Sequence, residues 1–396
     1  MTDPLSAPGD CLTPLVMPIS RVKLRRRAII VAAAVLPALV GAHRTDDGRN
    51  TAWSSGSLSL TAAMSAPRAA HTATTLADGR VLVAGGFTER GSARGAEIYD
   101  ARTERFAPLP PMVVTRHSHT ATLLPNGSVL IAGGYTAGGV QVSATEIFDP
   151  RTNRFAASTA LSQPRSDHVA VLLGNGLVLI AGGLGPNWTF LSSAELYDPA
   201  TGAVTATGDM TTARESHAAV KLRDGRVLIV GGHRGRRDAI VLYTSAEVYD
   251  PATGRFARVR DMNVRRHKHD AVLLADGMVL VTGGADERDN EGVYNSTELF
   301  DPATGAFAVG PTMQRPRYKH NGSALVLASG VVLLGGGAAE AETYDPARRA
   351  FTLVRGDARM AGQFSAVAAL GSGGALITGG YGTGTGPRAS AWRYQP

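Results

Sequence analysis

Short apolar runs recur along the chain at a near-constant interval. Each copy holds four of them, as in HTATTL, VLVAGG, AEIYD and RFAPL within residues 71–109, with turn residues between. Runs of this length, rich in Val, Leu, Ile and aromatics, are too short for helices and predict strands. The first run joins the second through DG, NG or SG turns centred on Gly79, Gly127, Gly176, Gly225, Gly277, Gly330 and Gly373, which is hairpin chemistry. In three copies DPATG joins the third run to the fourth (Asp198 to Gly202, Asp250 to Gly254, Asp301 to Gly305), where Pro presets φ and Gly takes the left-handed position. A Gly-Gly pair ends the second run in every copy, at 85–86, 133–134, 182–183, 231–232, 283–284, 336–337 and 379–380. A period near 50 residues marks a repeated supersecondary unit, and four antiparallel strands repeated in a closed circle make a β-propeller. The expected class is all-β.

There are seven copies, and the last stops at SAWRYQP, its third strand. At the other end GSLSLTAAM (56–64) places Leu58 six residues before Met64, as Phe106, Phe155, Phe256 and Phe307 stand six before Met112, Leu161, Met262 and Met313. The N-terminal segment is therefore expected to supply the outer strand of the last blade, which removes an open sheet edge. In register the copies read R-x-x-H, then GG, then [AT]-E-x-[YF]-D-P, then an aromatic six residues before the next Met. Over essentially all of 52–396 this resembles the kelch repeat. The resemblance implies a six- or seven-bladed kelch-type propeller, and the count gives seven.

Residues 1–42 differ in kind. RVKLRRR at 21–27 precedes AIIVAAAVLPALVGA at 28–42, the order of a secretory signal, with a short membrane anchor as the alternative. At ~1.5 Å per residue the apolar run falls short of a ~30 Å hydrocarbon core. Residues 43–51 read as a linker and 52–396 as the propeller, so the protein is expected to be exported to the periplasm, cell envelope or exterior. Membrane contact would then come only through residues 28–42, if uncleaved, and the true start is Met1 or Met17. The one cysteine, Cys11, lies ahead of the apolar run, which excludes a disulfide scaffold in the mature chain.

Net charge is +7, with four lysines among 40 basic residues and arginine for the rest, a bias typical of GC-rich bacterial coding. Residues 1–42 contribute +3, and the +4 left is too dilute for a phosphate-binding surface, so no nucleic-acid partner is expected. The 47 glycines follow propeller geometry, because fourteen fall in the Gly-Gly pairs and seven in the first turns.

The repeated charges form a set of their own. Arg68, Arg116, Arg165, Arg214, Arg266 and Arg317 each stand three residues before a histidine (His71, His119, His168, His217, His269, His320), and each copy has a glutamate: Glu97, Glu146, Glu195, Glu247, Glu298 and Glu342. In the seventh copy the three positions are Gly362, Ser365 and Trp392, so all are lost together. Joint loss predicts buried Arg–Glu pairs with the histidine beside them, since removing one partner would strand a charge. A circle of cations attracting an acidic ligand is the other reading. The pairs His117/His119 and His267/His269 would put two imidazoles on one side of a strand, but no carboxylate cluster completes a metal site. DERDNEG at 286–292 lacks EF-hand spacing, and no G-x-S-x-G, H-E-x-x-H or Walker motif occurs. No catalytic residue, metal or cofactor is assigned.

Ligand chemistry is expected where the copies differ, in the loops between strands 2 and 3. Blade 3 offers Trp188 and Phe190; blade 4 His233, Arg234, Arg236, Arg237 and Tyr243; blade 5 Asp286, Asp289 and Tyr294. Aromatic and arginine anchors on loops of a rigid scaffold suit recognition. The function read from sequence is a monomeric, non-catalytic binding module for a protein or glycan on that face. The alternative is a carbohydrate-acting enzyme, since the kelch resemblance reaches copper radical oxidases and sialate mutarotases. The oxidases need a cysteine crosslinked to a copper-ligand tyrosine, which a mature chain without Cys11 does not offer.

Overall fold

A computed structural model describes residues 55–356, 362–382 and 386–396. The expected export segment, with Cys11, and the whole of the linker 43–51 lie outside these. Each blade is a sheet of at least four strands, antiparallel and in sequence order in blades 1 to 6, as in blade 4 with Ala218–Lys221, Val227–Val230, Ala246–Asp250 and Arg255–Arg258. Among the described residues there are seven such sheets and no α-helix. First strands of neighbouring blades touch around the whole circle, with Thr72–Thr75 of blade 1 against Ala366–Ala369 of blade 7, so strand 1 lines the axis.

Second strands explain why their sequences are apolar without alternation. Val227 to Val230 are all fully buried, because each blade is covered on both faces by its neighbours. The core is therefore seven layers between blades and not one centre. In one layer Val220, Leu228 and Val248 of blade 4 meet Val279, Val281 and Phe300 of blade 5 over Met262.

Blade 7 closes as the sequence predicts. Ser57–Leu60 pairs antiparallel with Ala391–Gln395, placing Leu58 opposite Tyr394 and Leu60 opposite Trp392. A further two-residue strand, Arg355–Gly356, pairs parallel with Ser57 and Leu58 and gives this blade a fifth strand. It has no counterpart in the other copies, so the repeat pattern does not announce it.

The Arg–Glu positions meet within each blade. Arg116 Nη2 donates to Glu146 Oε1 at 2.7 Å, while its Nη1 donates to the carbonyls of Gly133 and Ala144 at 2.7 and 2.9 Å. Glu146 also accepts the backbone N–H groups of Val113 and Val114. Corresponding pairs are Arg68–Glu97, Arg165–Glu195, Arg214–Glu247, Arg266–Glu298 and Arg317–Glu342, at 2.7–3.1 Å. Each arginine thus ties the Gly-Gly turn to the third strand.

The repeat histidines do something else: they do not serve the Arg–Glu pair of their own blade but reach into the preceding one. His71, His119 and His168 bond Thr378, Thr72 and Thr120 at 2.8–3.2 Å, and His320 bonds the Thr282 carbonyl at 2.9 Å. In six of the seven pairs the first glycine makes room for the incoming imidazole; Gly336 of blade 6, whose neighbour lacks the histidine, lies against Ser323 instead. A Cβ on Gly133, at φ +62°, would lie 2.4 Å from the Arg165 carbonyl oxygen and 2.7 Å from His168 Cε1. Gly133→Ala should therefore combine a left-handed alanine with a backbone clash and lower stability by at least ~2 kcal/mol, read from denaturant melts.

Candidate functional site

Between the fixed Arg and His of each blade stand two residues whose identity is free. The second of them is left-handed in all seven blades: Ala70, Ser118, Asp167, Ser216, Lys268, Lys319 and Phe364 have φ of 50–54°. None is glycine, and each such conformation costs ~1–2 kcal/mol. Main-chain bonds join six of the seven successive pairs directly, and in the seventh the Lys268 carbonyl accepts from His320 N–H at 3.4 Å. Ser118 N–H donates to the Ala70 carbonyl, Asp167 to Ser118, Ser216 to Asp167 and Lys268 to Ser216, at 3.0–3.2 Å; Phe364 donates to Lys319 and Ala70 to Phe364. The first free residue pairs instead with the residue after the Gly-Gly pair, as in His117 with Tyr135, Glu215 with His233 and Gln363 with Tyr381. These two positions together surround the axis on the loop face. The same kink corrects the reading of the His-x-His pairs. With Ser118 and Lys268 left-handed the segments are not extended, so His117 stacks on Tyr135 at 5.2 Å and bonds Ser92, while His119 turns between blades.

Blades 1 and 2 put mostly small groups here, whereas blades 3 to 6 put Asp167, Glu215, His267, Lys268, Tyr318 and Lys319. Glu215 is only 4% exposed; its Oε1 lies 3.0 Å from His233 Nε2 and 3.7 Å from Arg236 Nη2, and its Oε2 is buried without a hydrogen-bond partner. Burial raises its pKa against the opposing fields of Arg236 and Lys268. Asp167 is pushed up to about 7 by burial and by the neighbouring Glu215. His233 and His267 meet through their Nδ1 atoms at 3.3 Å, and burial holds both neutral, with values near 3 and 4. His267 Nε2 faces Asp289 Oδ1 at 3.3 Å. Asp289 also accepts from the Tyr318 hydroxyl, which in turn accepts from Lys268 Nζ at 3.1 Å. Burial acts against ionisation of Asp289, but bonds from His267 and Tyr318 and the charge of Lys268 keep it well below the usual range. Lys319 Nζ donates to Tyr381 at 2.9 Å and lies 5.2–5.7 Å from the rings of Tyr318, Phe364 and Tyr381, a cation held by three aromatic faces.

The rim residues divide. Trp188, Arg234 and Arg237 are exposed and Phe190 is half-buried. The Arg236 guanidinium stacks 3.5 Å over the Trp188 ring and so links the rim to Glu215 below. His233 is not on the rim: it is buried, edge-on to Phe190 at 6.0 Å. Tyr243 and Tyr294 lie at equivalent positions over the buried Arg214 and Arg266, at 5.2 and 5.6 Å, and so cover the repeat pairs. Asp286 is buried and bound to Arg288 of its own loop, and of the three blade 5 residues only Asp289 reaches the axis. Glu215, His267, Lys268, Tyr318 and Lys319 escape a search for loop anchors. The signal that could have found them is compositional. In an arginine-rich chain, Lys268 and Lys319 fall at one register position of adjacent blades.

A family model described as the Kelch motif matches residues 216–263. The chain is a seven-bladed propeller that carries a kelch motif. No curated protein matches it. Among solved structures it is similar to a novel fungal alcohol oxidase with catalytic diversity among the AA5 family, in complex with copper. The TM-score is 0.68 at 14% identity, over 86% of this chain and 76% of that one. At that identity the likeness is one of fold. Among the described residues the donor set of this propeller does not fit a copper site. Among the described residues no three His, Cys, Asp or Glu side chains are arranged around a common metal position, and none is a cysteine.

Proposed function

We propose that this kelch propeller is an exported binding protein whose ligand enters the axial mouth on the loop face. The observation behind this reading is that blades 3 to 6 place unlike, non-repeat polar groups at the one pair of positions that the repeat leaves free. Donors (Lys268, Lys319, Arg236) and acceptors (Asp167, Glu215) alternate beside the aromatic faces of Trp188, Phe190 and Tyr381. Such closely spaced polar groups suit a hydroxyl-rich ligand, a glycan in preference to a protein, with the rim loops of blades 3 to 5 contacting its more distant parts. Export through residues 21–42 is part of the same proposal.

The test is a glycan array probed with the propeller and with two variants. Lys268→Gln should weaken retention of any hit about tenfold, the loss of one charged hydrogen bond, and leave the melting temperature nearly unchanged. Replacing the 233–245 loop by the AAEA connection of blade 6 should abolish it. Retention that is equal in all three proteins would overturn the placement of the ligand.

A further inference from the structure

We infer that a two-residue turn inserted in blade 6, Asn321 and Gly322, projects into the axial channel below the mouth as a ledge, and that the Asn321 amide bonds a hydroxyl of the ligand there. The ligand contact rests on the proposed function above; the ledge does not.

Two departures from the repeat carry this, and they fit one another. The repeat arginine stands 17 residues before the first glycine of its pair in blades 1 to 5 but 19 before it in blade 6. Strand register locates the two extra residues. The Ser323 carbonyl accepts from the N–H of Gly335, the residue before the Gly-Gly pair, as Thr72 pairs with Ala84 in blade 1, so Ser323 holds the place of Thr72. Asn321 and Gly322 are therefore the insertion, and Ser323 N–H donates to the His320 carbonyl at 3.0 Å to close them into a turn. Gly322, at φ +70°, supplies its left-handed position. The other departure is Asp270 of blade 5. At its register position Thr72 and Thr120 bond the histidine of the following blade. Asp270 instead leaves His320 to the Thr282 carbonyl and holds the exit of the turn, its Oδ2 accepting from Ser323 and Ala324 N–H at 2.9 and 2.8 Å. An acid buried in this way costs stability unless it is well bonded. The framework thus keeps a buried acid to support two residues that the other blades do without.

Where the tip of the turn points follows from its surroundings. On one side His320 N–H meets the Lys268 carbonyl at the mouth, and on the other Ala324 begins the first strand, which lines the axis. His320 and Ser323 are fully buried between blades, whereas Asn321 and Gly322 are exposed, and a Cβ on Gly322 would meet nothing within 4 Å. With the space between blades filled, the exposed tip faces the axis, next to the Lys268 and Lys319 positions. The Asn321 amide bonds no other described residue. It offers a hydroxyl both a donor and an acceptor without a charge, which the lysines and carboxylates of the mouth do not.

Thiol labelling tests the ledge. In the full chain carrying Cys11→Ser, Asn321→Cys should react with N-ethylmaleimide and lose reaction with a polyethylene-glycol maleimide too bulky for the channel. Val309→Cys, exposed on an outer strand, should react with both. Equal reaction of Asn321→Cys with the two reagents would place the tip on the outer surface, and reaction with neither would bury it; each overturns the ledge. Deleting Asn321 and Gly322, or replacing Asp270→Thr, should lower the melting temperature. The combined variant restores the junction found between blades 1 and 2 and should recover most of the loss, whereas additive losses would overturn the coupling of the two departures.

On the glycan array Asn321→Ala should weaken retention of the best hit about tenfold, the loss of one or two hydrogen bonds, with the melting temperature unchanged. Undiminished retention would overturn the ligand contact. An array without hits defeats the proposed function and this contact together, while the labelling pattern decides the ledge by itself.

Discussion

Acidification from pH 7 to pH 5 should unfold the propeller, with the melting temperature falling steeply below pH 6.5. Nine of the ten histidines are neutral, eight of them buried and His117 half-buried, with values of about 3 for His71, His217, His233 and His320, about 4 for His117 and His267, and far below normal for His119, His168 and His269. The first cause in every case is burial, since the imidazoles sit between blades or under loops. An unfolded histidine titrates near 6.5, so between that pH and about 4 the unfolded chain binds more protons than the folded one. Stability then rises with pH by up to ~1.4 kcal/mol per unit for each histidine. Glu215, Asp167 and Asp270 act in the opposite sense, because their folded values are raised by burial, the last to about 6, and protonation favours the folded state. Nine groups outweigh three, and at pH 5 the net loss is comparable to the ~5–15 kcal/mol that holds a typical domain together. Circular-dichroism melts across this range measure it, and a melting temperature constant from pH 7 to pH 4.5 would contradict the neutral, interlocking histidines.

Arg214→Ala should cost about 3–5 kcal/mol. The guanidinium is wholly buried, bonds Glu247 at 2.8 Å and the Gly231 and Ser245 carbonyls at 2.7 and 2.9 Å, and its removal strands a carboxylate that keeps little besides the Thr211 N–H. Blade 7 shows the permitted way out. There Gly362 and Trp392 replace the pair, and the indole, 2% exposed, fills the space among Leu58, Val367 and Ile377. In a double-mutant cycle Glu247→Leu added to Arg214→Ala should restore part of the loss. Strict additivity of the two substitutions, measured in urea, would refute the pairing as a stability term.

Blade number, the closing strand and the buried cores were legible because they follow from periodicity, which a single sequence displays seven times over. The partner of the repeat histidine was not. Reasoning about strand direction inside one blade has no access to the neighbour, and it is the neighbour's glycine that receives the ring. The mouth was hidden for the opposite reason. Glu215, Lys268 and Lys319 sit inside the R-x-x-H signature at the places written as x, where a search for regularity discards what varies. The rim residues read from the loops were of both kinds: Trp188 and Arg236 join the surface to the mouth, whereas Tyr243 and Tyr294 shield framework arginines.

The strand Ser57–Leu60 has a consequence for assembly. Its hydrogen-bonding partner, Ala391–Gln395, is the last strand among the described residues, so the strand pairing that seals the circle is also the one of greatest sequence separation there. Blades 1 to 6 can each form from local hairpins, but His71 has no Thr378 to bond until blade 7 is in place. A nascent propeller therefore passes through an open arc with two raw sides, and the step that ends its exposure to aggregation or proteolysis is the meeting of its first and last strands.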